Sequence, residues 1–470
     1  LCSKTAKLIV KKNKPAYSRF SDHMQLVTPT RPKKKNDYFA YKPAKGWRDA
    51  SYDCLPLHNP PLCPRDEAIF FLHMASEVEH ALMVQYLYAA FSLGGVQVPE
   101  DKRELVNSWR VKILGIAREE MGHLITVQNI LHSIGGPLTF QREDFPFDSK
   151  LYPFHFSLER LTKNSLAKYV VAEMPSEDFL KKNDPSLLKE MKVIKAIAQK
   201  GNKGKPINRV GMIYEKIQLL LDGVENEDFL KDSDKFQSPH SAWGTNDHKI
   251  IIETATNRAD AKAALGKIAE QGEGEEISMK PSTEESHFER FLHVYRAFPQ
   301  AGRWQASRHV PDNPSTNLPG IDPDPSIITD EQSLLWAQLS NQRYRMILLY
   351  LSHCLQMEIK PASFYGQLVS WTFGEMYNLR SISDILTTLP QQKGNRKGPR
   401  AASPFELPYN LNLPAREMNK WRAHRDQLLN SRIIIDELLE YYDVAHAIYL
   451  KALRSADEQA LSVIQSIINQ

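Results

Sequence analysis

"REEMGHLITVQNIL", residues 118–131, decides how this chain is read. Ile113, Ile116, Glu120, His123, Val127 and Ile130 step by three and four, so they share one stripe of an α-helix. Four of them are aliphatic, and a helix turns such a stripe toward a core. The other two are a glutamate and a histidine. A core accepts a carboxylate only with a partner, since breaking a buried ion pair costs about 3–5 kcal/mol. Glu119 lies roughly 100° around the helix from the stripe and is expected to reach water.

The same anomaly recurs in three other segments. "PRDEAIFFLHMASEVEHALMVQYLYAAFSLGG" reads as a long helix. Pro64 suits its first turn, Asp66 and Glu67 suit the positive end of its dipole, and Gly94-Gly95 stops it. Its stripe of Leu72, Ser76, Glu79, Met83, Tyr86 and Ala90 again holds one carboxylate. The helix bearing Glu120 runs from about Glu104 to Ile134 and ends at Gly135-Gly136-Pro137. A third helix, about Asn208 to Leu221, places Gly211, Glu215 and Gln218 on one face. A fourth begins near Ser282 and aligns Glu284, His287, Phe291 and Val294. Glu284-x-x-His287 repeats the spacing of Glu120-x-x-His123.

Single Glu, Glu-x-x-His, single Glu, Glu-x-x-His is the ligand order of a carboxylate-bridged two-metal site in a four-helix bundle. The expected ligands are Glu79, Glu120, His123, Glu215, Glu284 and His287. Four carboxylates neutralise the four charges of two divalent ions. Two neutral imidazoles complete the coordination without adding charge. Oxygen and imidazole donors suit two iron ions, with manganese or a mixed iron/manganese pair as alternatives. Glu285, Glu289, Glu270 and Glu273 are rivals of Glu284. Tyr86, Tyr214 and Gln218 are candidates to hydrogen-bond a ligand carboxylate, the tyrosines otherwise being core residues. His80 points away from Glu79 toward a surface or a neighbouring helix. Glu173, in "VVAEMP", reads as a structural helix end before Pro175. Trp243 and Trp371 read as core, with an aromatic-substrate pocket as the alternative.

The remainder bounds the fold. Of 470 residues, 42% are hydrophobic and 25% charged, an ordinary globular composition. No stretch reaches eighteen consecutive apolar residues, which argues against a membrane helix. Residues 1–50 carry 13 Lys and Arg against three Asp, or +10, so the total of +4 leaves about −6 on the rest. The first 64 residues read as a basic, Pro- and Lys-rich arm, and neither a nucleic-acid nor a membrane partner is indicated. Cys2, Cys54, Cys63 and Cys354 form no CxxC pair, although Cys54 and Cys63 are close enough in sequence to bridge. A reducing, cytoplasmic compartment is the expectation. Residues 65–300 read as the bundle with insertions, the stretch 141–205 being mixed. Pro299 and the five prolines of 301–330 mark a linker. Residues 331–470 read as a C-terminal helical region packing on the bundle, its last stretch as one helix. No long β alternation occurs, so the fold class is all-α. GxxxxGK[ST], GxSxG, HExxH and a strand-borne GxGxxG are absent.

On these residues the chain resembles the ferritin-like domain family that contains the iminophenyl-pyruvate dimer synthases of violacein- and rebeccamycin-type pathways. The matching pieces are "ASEVEHALMVQYLYA", "IAREEMGHLITVQNILHSIGGP", "VVAEMP", "GMIYEKI", "KIAEQGEG", "ESHFERFLHVY", "LSNQRYRMILLYL" and "GPRAASPFELP", from about residue 66 to 435. The resemblance implies the same six metal ligands and adds no catalytic base. It implies an O2-dependent di-iron oxidase or oxygenase acting on a small amino-acid-derived molecule, in one version by oxidative coupling of an aromatic 2-keto acid imine. The partners are then the small-molecule substrate and an external electron donor. Iron oxidation without an organic substrate, as in ferritins, and an interaction protein that has lost its reaction are the alternatives.

Overall fold

The computed structural model describes residues 62–149, 151–243, 250–274, 285–300, 303–318, 324–360, 364–408, 410–441 and 444–469. Twelve α-helices and no strand occur among them, apart from isolated bridges, so the fold is all-α. The basic arm, Cys2, Cys54 and Glu284 lie outside the described residues.

The centre is a hairpin of α1 (Pro64–Ser92) and α2 (Arg103–Ser133). α1 is buried along nearly its whole circumference, its polar residues Glu77, Glu79, His80 and Gln85 included. It ends at Leu93, where Gly94 and Gly95 take φ of +95° and +106°, conformations open to glycine at little cost. At the end of α2, Gly135 has φ +75° and the Gly136 N–H donates to the Leu131 carbonyl.

The other two walls are interrupted. α3 (Lys163–Ala172) starts in a reciprocal cap between Thr162 and Ser165, then stops at Glu173, two residues before Pro175. An excursion follows through α4 (Glu177–Asn183) and α5 (Pro185–Gly201), two helices inside the stretch that reads as mixed in sequence. α6 (Gly211–Leu221) is then seated on the end of α3, the Val210 N–H donating to the Ala172 carbonyl at 2.9 Å. α7 (Arg258–Glu273) ends at Gly274 with φ +75°. α8 (His287–Ala297) begins at the Ser286 cap, which lies so close that a Cβ on Gly274 would stand 3.0 Å from Ser286 Oγ. The ends of four helices thus meet beside the α1–α2 hairpin.

α9 (Glu331–Cys354), α10 (Tyr365–Leu386), α11 (Glu417–Leu438) and α12 (Val444–Ile468) form the C-terminal region. The closing stretch is therefore two helices, the first ending at Leu438 and the second starting at Val444. One apolar cluster joins Val84, Tyr88, Leu124 and Ile125 of the hairpin to Tyr344, Leu348 and Leu368. The described part of 301–330 contains no helix, but it is a strap rather than a free tether. The Gly94 N–H donates to the Ala306 carbonyl, and the Leu158 N–H to Asn313 Oδ1, both at 2.8 Å. Among the described residues no helix is long and apolar enough to cross a membrane.

Candidate metal centre

Glu79 of α1 and Glu120 and His123 of α2 are nearly inaccessible to solvent. Three-residue spacing stacks Glu120 and His123 on adjacent turns, and His123 Nδ1 lies 2.9 Å from Glu120 Oε2 and 3.5 Å from Glu79 Oε2. The other oxygen of Glu120 faces a second imidazole, with His287 Nδ1 at 3.1 Å. Glu173 Oε2 is 3.8 Å from the same nitrogen. Two groups of potential metal ligands result, Glu79–Glu120–His123 and Glu120–Glu173–His287, sharing Glu120.

The surroundings fix each ligand's orientation. His123 turns Nδ1 inward while its Nε2 is 2.8 Å from the side-chain oxygen Oε1 of Gln271. His287 turns Nδ1 inward while its Nε2 is 2.9 Å from Glu119 Oε2. Glu119 is clamped in turn by Arg290, one N–H···O contact being 2.9 Å. The Tyr214 hydroxyl donates to Glu79 Oε1, and the Tyr86 hydroxyl donates to Glu173 Oε1 at 2.5 Å. Such partners hold a ring in one tautomer and a carboxylate in one rotamer. Glu79 Oε2, Glu120 Oε1 and His287 Nδ1 remain buried without a hydrogen bond. Orphaned inward-facing donor atoms on otherwise anchored side chains fit a pair of divalent cations.

The electrostatics agree. Burial, then the Glu120 charge, push Glu79 up to about 8 and Glu173 up to about 7. Burial also penalises the Glu120 carboxylate, but the His287 and His123 imidazoles outweigh it and hold Glu120 well below the usual range. Burial disfavours the imidazolium ions too, yet the facing carboxylates raise His123 well above its ordinary value and His287 to about 9. The shifts share one cause, the crowding of carboxylates and imidazoles in a buried space, and bound divalent ions would displace protons from such groups.

Several expectations are corrected. Glu215 is turned outward, its carboxylate 38% exposed and 2.7 Å from Arg209. α6 presents Tyr214 to the centre instead, one residue and about 100° away. Glu173 occupies the place expected of Glu215, because α3 stops just before it and leaves the side chain pointing between the helices. Glu119 does not reach water: α8 covers it, and only 1% of its side chain is exposed. Gln218 is partly exposed and does not line the small void beside Glu79 and Glu120. Among the rivals of Glu284, Glu285 pairs with Lys112 and Glu289 caps α8. Glu273 accepts from Arg209 and the Gly211 N–H. Of the remaining candidates, His80 is fully buried and meets the Tyr344 hydroxyl of α9. Trp243 is a core residue donating to Ser238, and Trp371 packs on Tyr350 and Trp421. The sequence signal at Glu173 is that of a helix end alone, since Pro175 two residues on bars the helix from continuing.

Residues 72–296 match the Ferritin-like family model. Dichlorochromopyrrolate synthase of Lentzea aerocolonigenes is 25% identical over 390 residues, covering 74% of this chain and 36% of that protein. The 2-imino-3-(indol-3-yl)propanoate dimerase of Chromobacterium violaceum is 23% identical over 378 residues, covering 71% of this chain and 34% of that protein. The chain thus matches about a third of the length of these curated relatives. A ferritin-like protein from Caulobacter vibrioides superposes with a TM-score of 0.43 at 14% identity, over 68% of this chain and 96% of that one. The buried carboxylate–imidazole centre lies inside the matched segment, and the chain carries a ferritin-like domain over residues 72–296.

Proposed function

We propose that this chain is an oxidoreductase that holds two iron ions among Glu79, Glu120, His123, Glu173 and His287 and uses O2 to oxidise a small amino-acid-derived substrate. The observation that carries the reading is Glu120, whose two oxygens face two inward-turned imidazoles. Bound iron would supply the one-electron steps that O2 requires and organic side chains do not provide. The protein's own part is orientation and exclusion. Tyr214, Tyr86, Gln271 and Glu119 hold the ligand side chains, and nearly complete burial keeps bulk water from the centre.

The void beside the carboxylates is only about 10 Å³, too small for an organic molecule. This reading therefore puts the substrate in the cleft of about 690 Å³ on the other side of Glu273. Phe179, Leu187, Phe288 and Leu292 line it, and they suit an aromatic body. The names of the relatives, a chromopyrrolate synthase and an indolyl imine dimerase, favour an aromatic 2-imino acid and its oxidative coupling.

Iron-loaded protein should take up O2 only when given an aromatic 2-imino acid, formed from the 2-keto acid and ammonia. Two metals per chain are expected, and Glu120→Ala should lose one or both while remaining folded. Full metal occupancy in that variant removes the proposed centre. Mineral formation from ferrous iron without substrate dependence favours the storage reading.

A further inference from the structure

We propose that a second site, where the α1–α2 turn meets the C-terminal helices, binds a phosphorylated small molecule through Arg103, Arg110 and Lys397. The crevice measures about 700 Å³, within the usual range of small-ligand sites. Five cationic side chains line it, Arg103 and Arg110 of α2, Arg308 of the strap, and Lys397 and Arg400 after α10. No aspartate or glutamate lines the crevice itself, although Asp384 pairs with Arg110 at its edge. Outside its first fifty residues the chain carries about −6, the +4 total less the +10 of that segment. The crevice is therefore a local concentration of positive charge on an acidic body, not a sample of a basic surface.

Two of the five have work within the fold. Arg308 donates to the carbonyls of Phe91 and Leu93 at the end of α1. Arg400 Nη1 lies 3.4 Å from the Thr388 carbonyl just after α10. Such cations complement helix C-termini. The other three are not explained this way. Arg110 Nη2 contacts Asp384 at 2.5 Å, but its Nε is buried with no acceptor. Arg103 is exposed and is the first residue of α2, where the helix dipole opposes a cation. Lys397 is exposed on the facing loop. An anion held between Arg103 and Lys397 would offset the charge of both side chains.

Gly94-Gly95 lets Arg308 and Gln97 pack against the backbone: a Cβ on Gly95 would stand 2.5 Å from Gln97 Oε1 and 2.9 Å from Arg308 Cγ, and one on Gly94 3.4 Å from the Arg308 guanidinium. Forked guanidinium donors favour phosphate oxygens. The recessed placement suits a small ligand better than a nucleic-acid duplex.

The test is calorimetric titration of the full chain with inorganic pyrophosphate and with ADP, and with citrate and a DNA duplex as comparators. Saturable, salt-sensitive binding of pyrophosphate or ADP is expected. It should weaken about tenfold or more in Arg103→Ala/Lys397→Ala, with the thermal transition and metal content unchanged because both side chains are exposed. Absence of saturable phosphate binding would overturn the proposal. So would equal binding by the double variant, or citrate or DNA binding as tightly as pyrophosphate.

Discussion

His287 Nδ1 stands 3.1 Å from Glu120 Oε1, although the two residues belong to helices separated by the whole middle of the ferritin-like segment. The contact makes Glu120 a bridge, since its other oxygen already faces His123. It also explains why two adjacent acids, Glu119 and Glu120, are both buried: one faces Nε2 of His287 and the other Nδ1.

Metal stoichiometry separates Glu173 from Glu215. Glu173→Gln is expected to lower bound metal from two ions per chain toward one. Glu215→Gln should leave it at two, because that carboxylate pairs with Arg209 at the surface. Elemental analysis of the reconstituted variants decides, and the reverse pattern would return the ligand role to Glu215.

Removing the charge from Glu119 should act through His287. Glu119→Gln loses the clamp by Arg290 and weakens the hold on the His287 ring. A loss of about 10–100-fold in affinity for one of the two ions is expected. Chelator titration should show one ion leaving early while the other behaves as in the parent protein. Two unaltered ions would mean that Glu119 only packs.

The C-terminal helices are pinned by Arg343, fully buried on α9. Its guanidinium meets Asp457 of α12 through two contacts of 2.7 and 2.6 Å, Glu375 of α10 at 3.1 Å and Ser431 of α11 at 2.5 Å. Asp457→Asn leaves a buried cation short of charge and is expected to cost about 3–5 kcal/mol. Chemical denaturation measures this. A change below about 1 kcal/mol would show that the network relaxes or admits water.

Glu67 gives a pH dependence away from the centre. Only 4% of it is exposed, and its Oε1 has no hydrogen-bond partner. Burial, partly offset by Lys216, raises it from 4.5 to about 7. Between those values the folded chain keeps a proton that the unfolded chain has released, so this group's contribution to stability falls as pH rises. Glu67→Gln should flatten the stability profile over that window by about 1–2 kcal/mol, allowing for solvent screening. An unchanged slope would mean that Lys216 already compensates the charge.

What the sequence by itself determined was local. Spacing of three and four puts Glu120 and His123 on one face, and helix start and stop signals bound α1 and α2 to within a few residues. Apolar periodicity likewise announced an all-α chain. The membership of the centre was decided only by tertiary structure. A stripe says which side chains share a face, not which way an eleven-residue helix is rolled against its neighbours, and α6 is rolled to present Tyr214 rather than Glu215. Glu173 and Glu119 escaped the periodic reading for the same reason. The first lies past the end of its helix, and the second lies off the stripe on a helix covered from a second side by α8. Burial there comes from helices distant in sequence, and no short-range pattern encodes their approach.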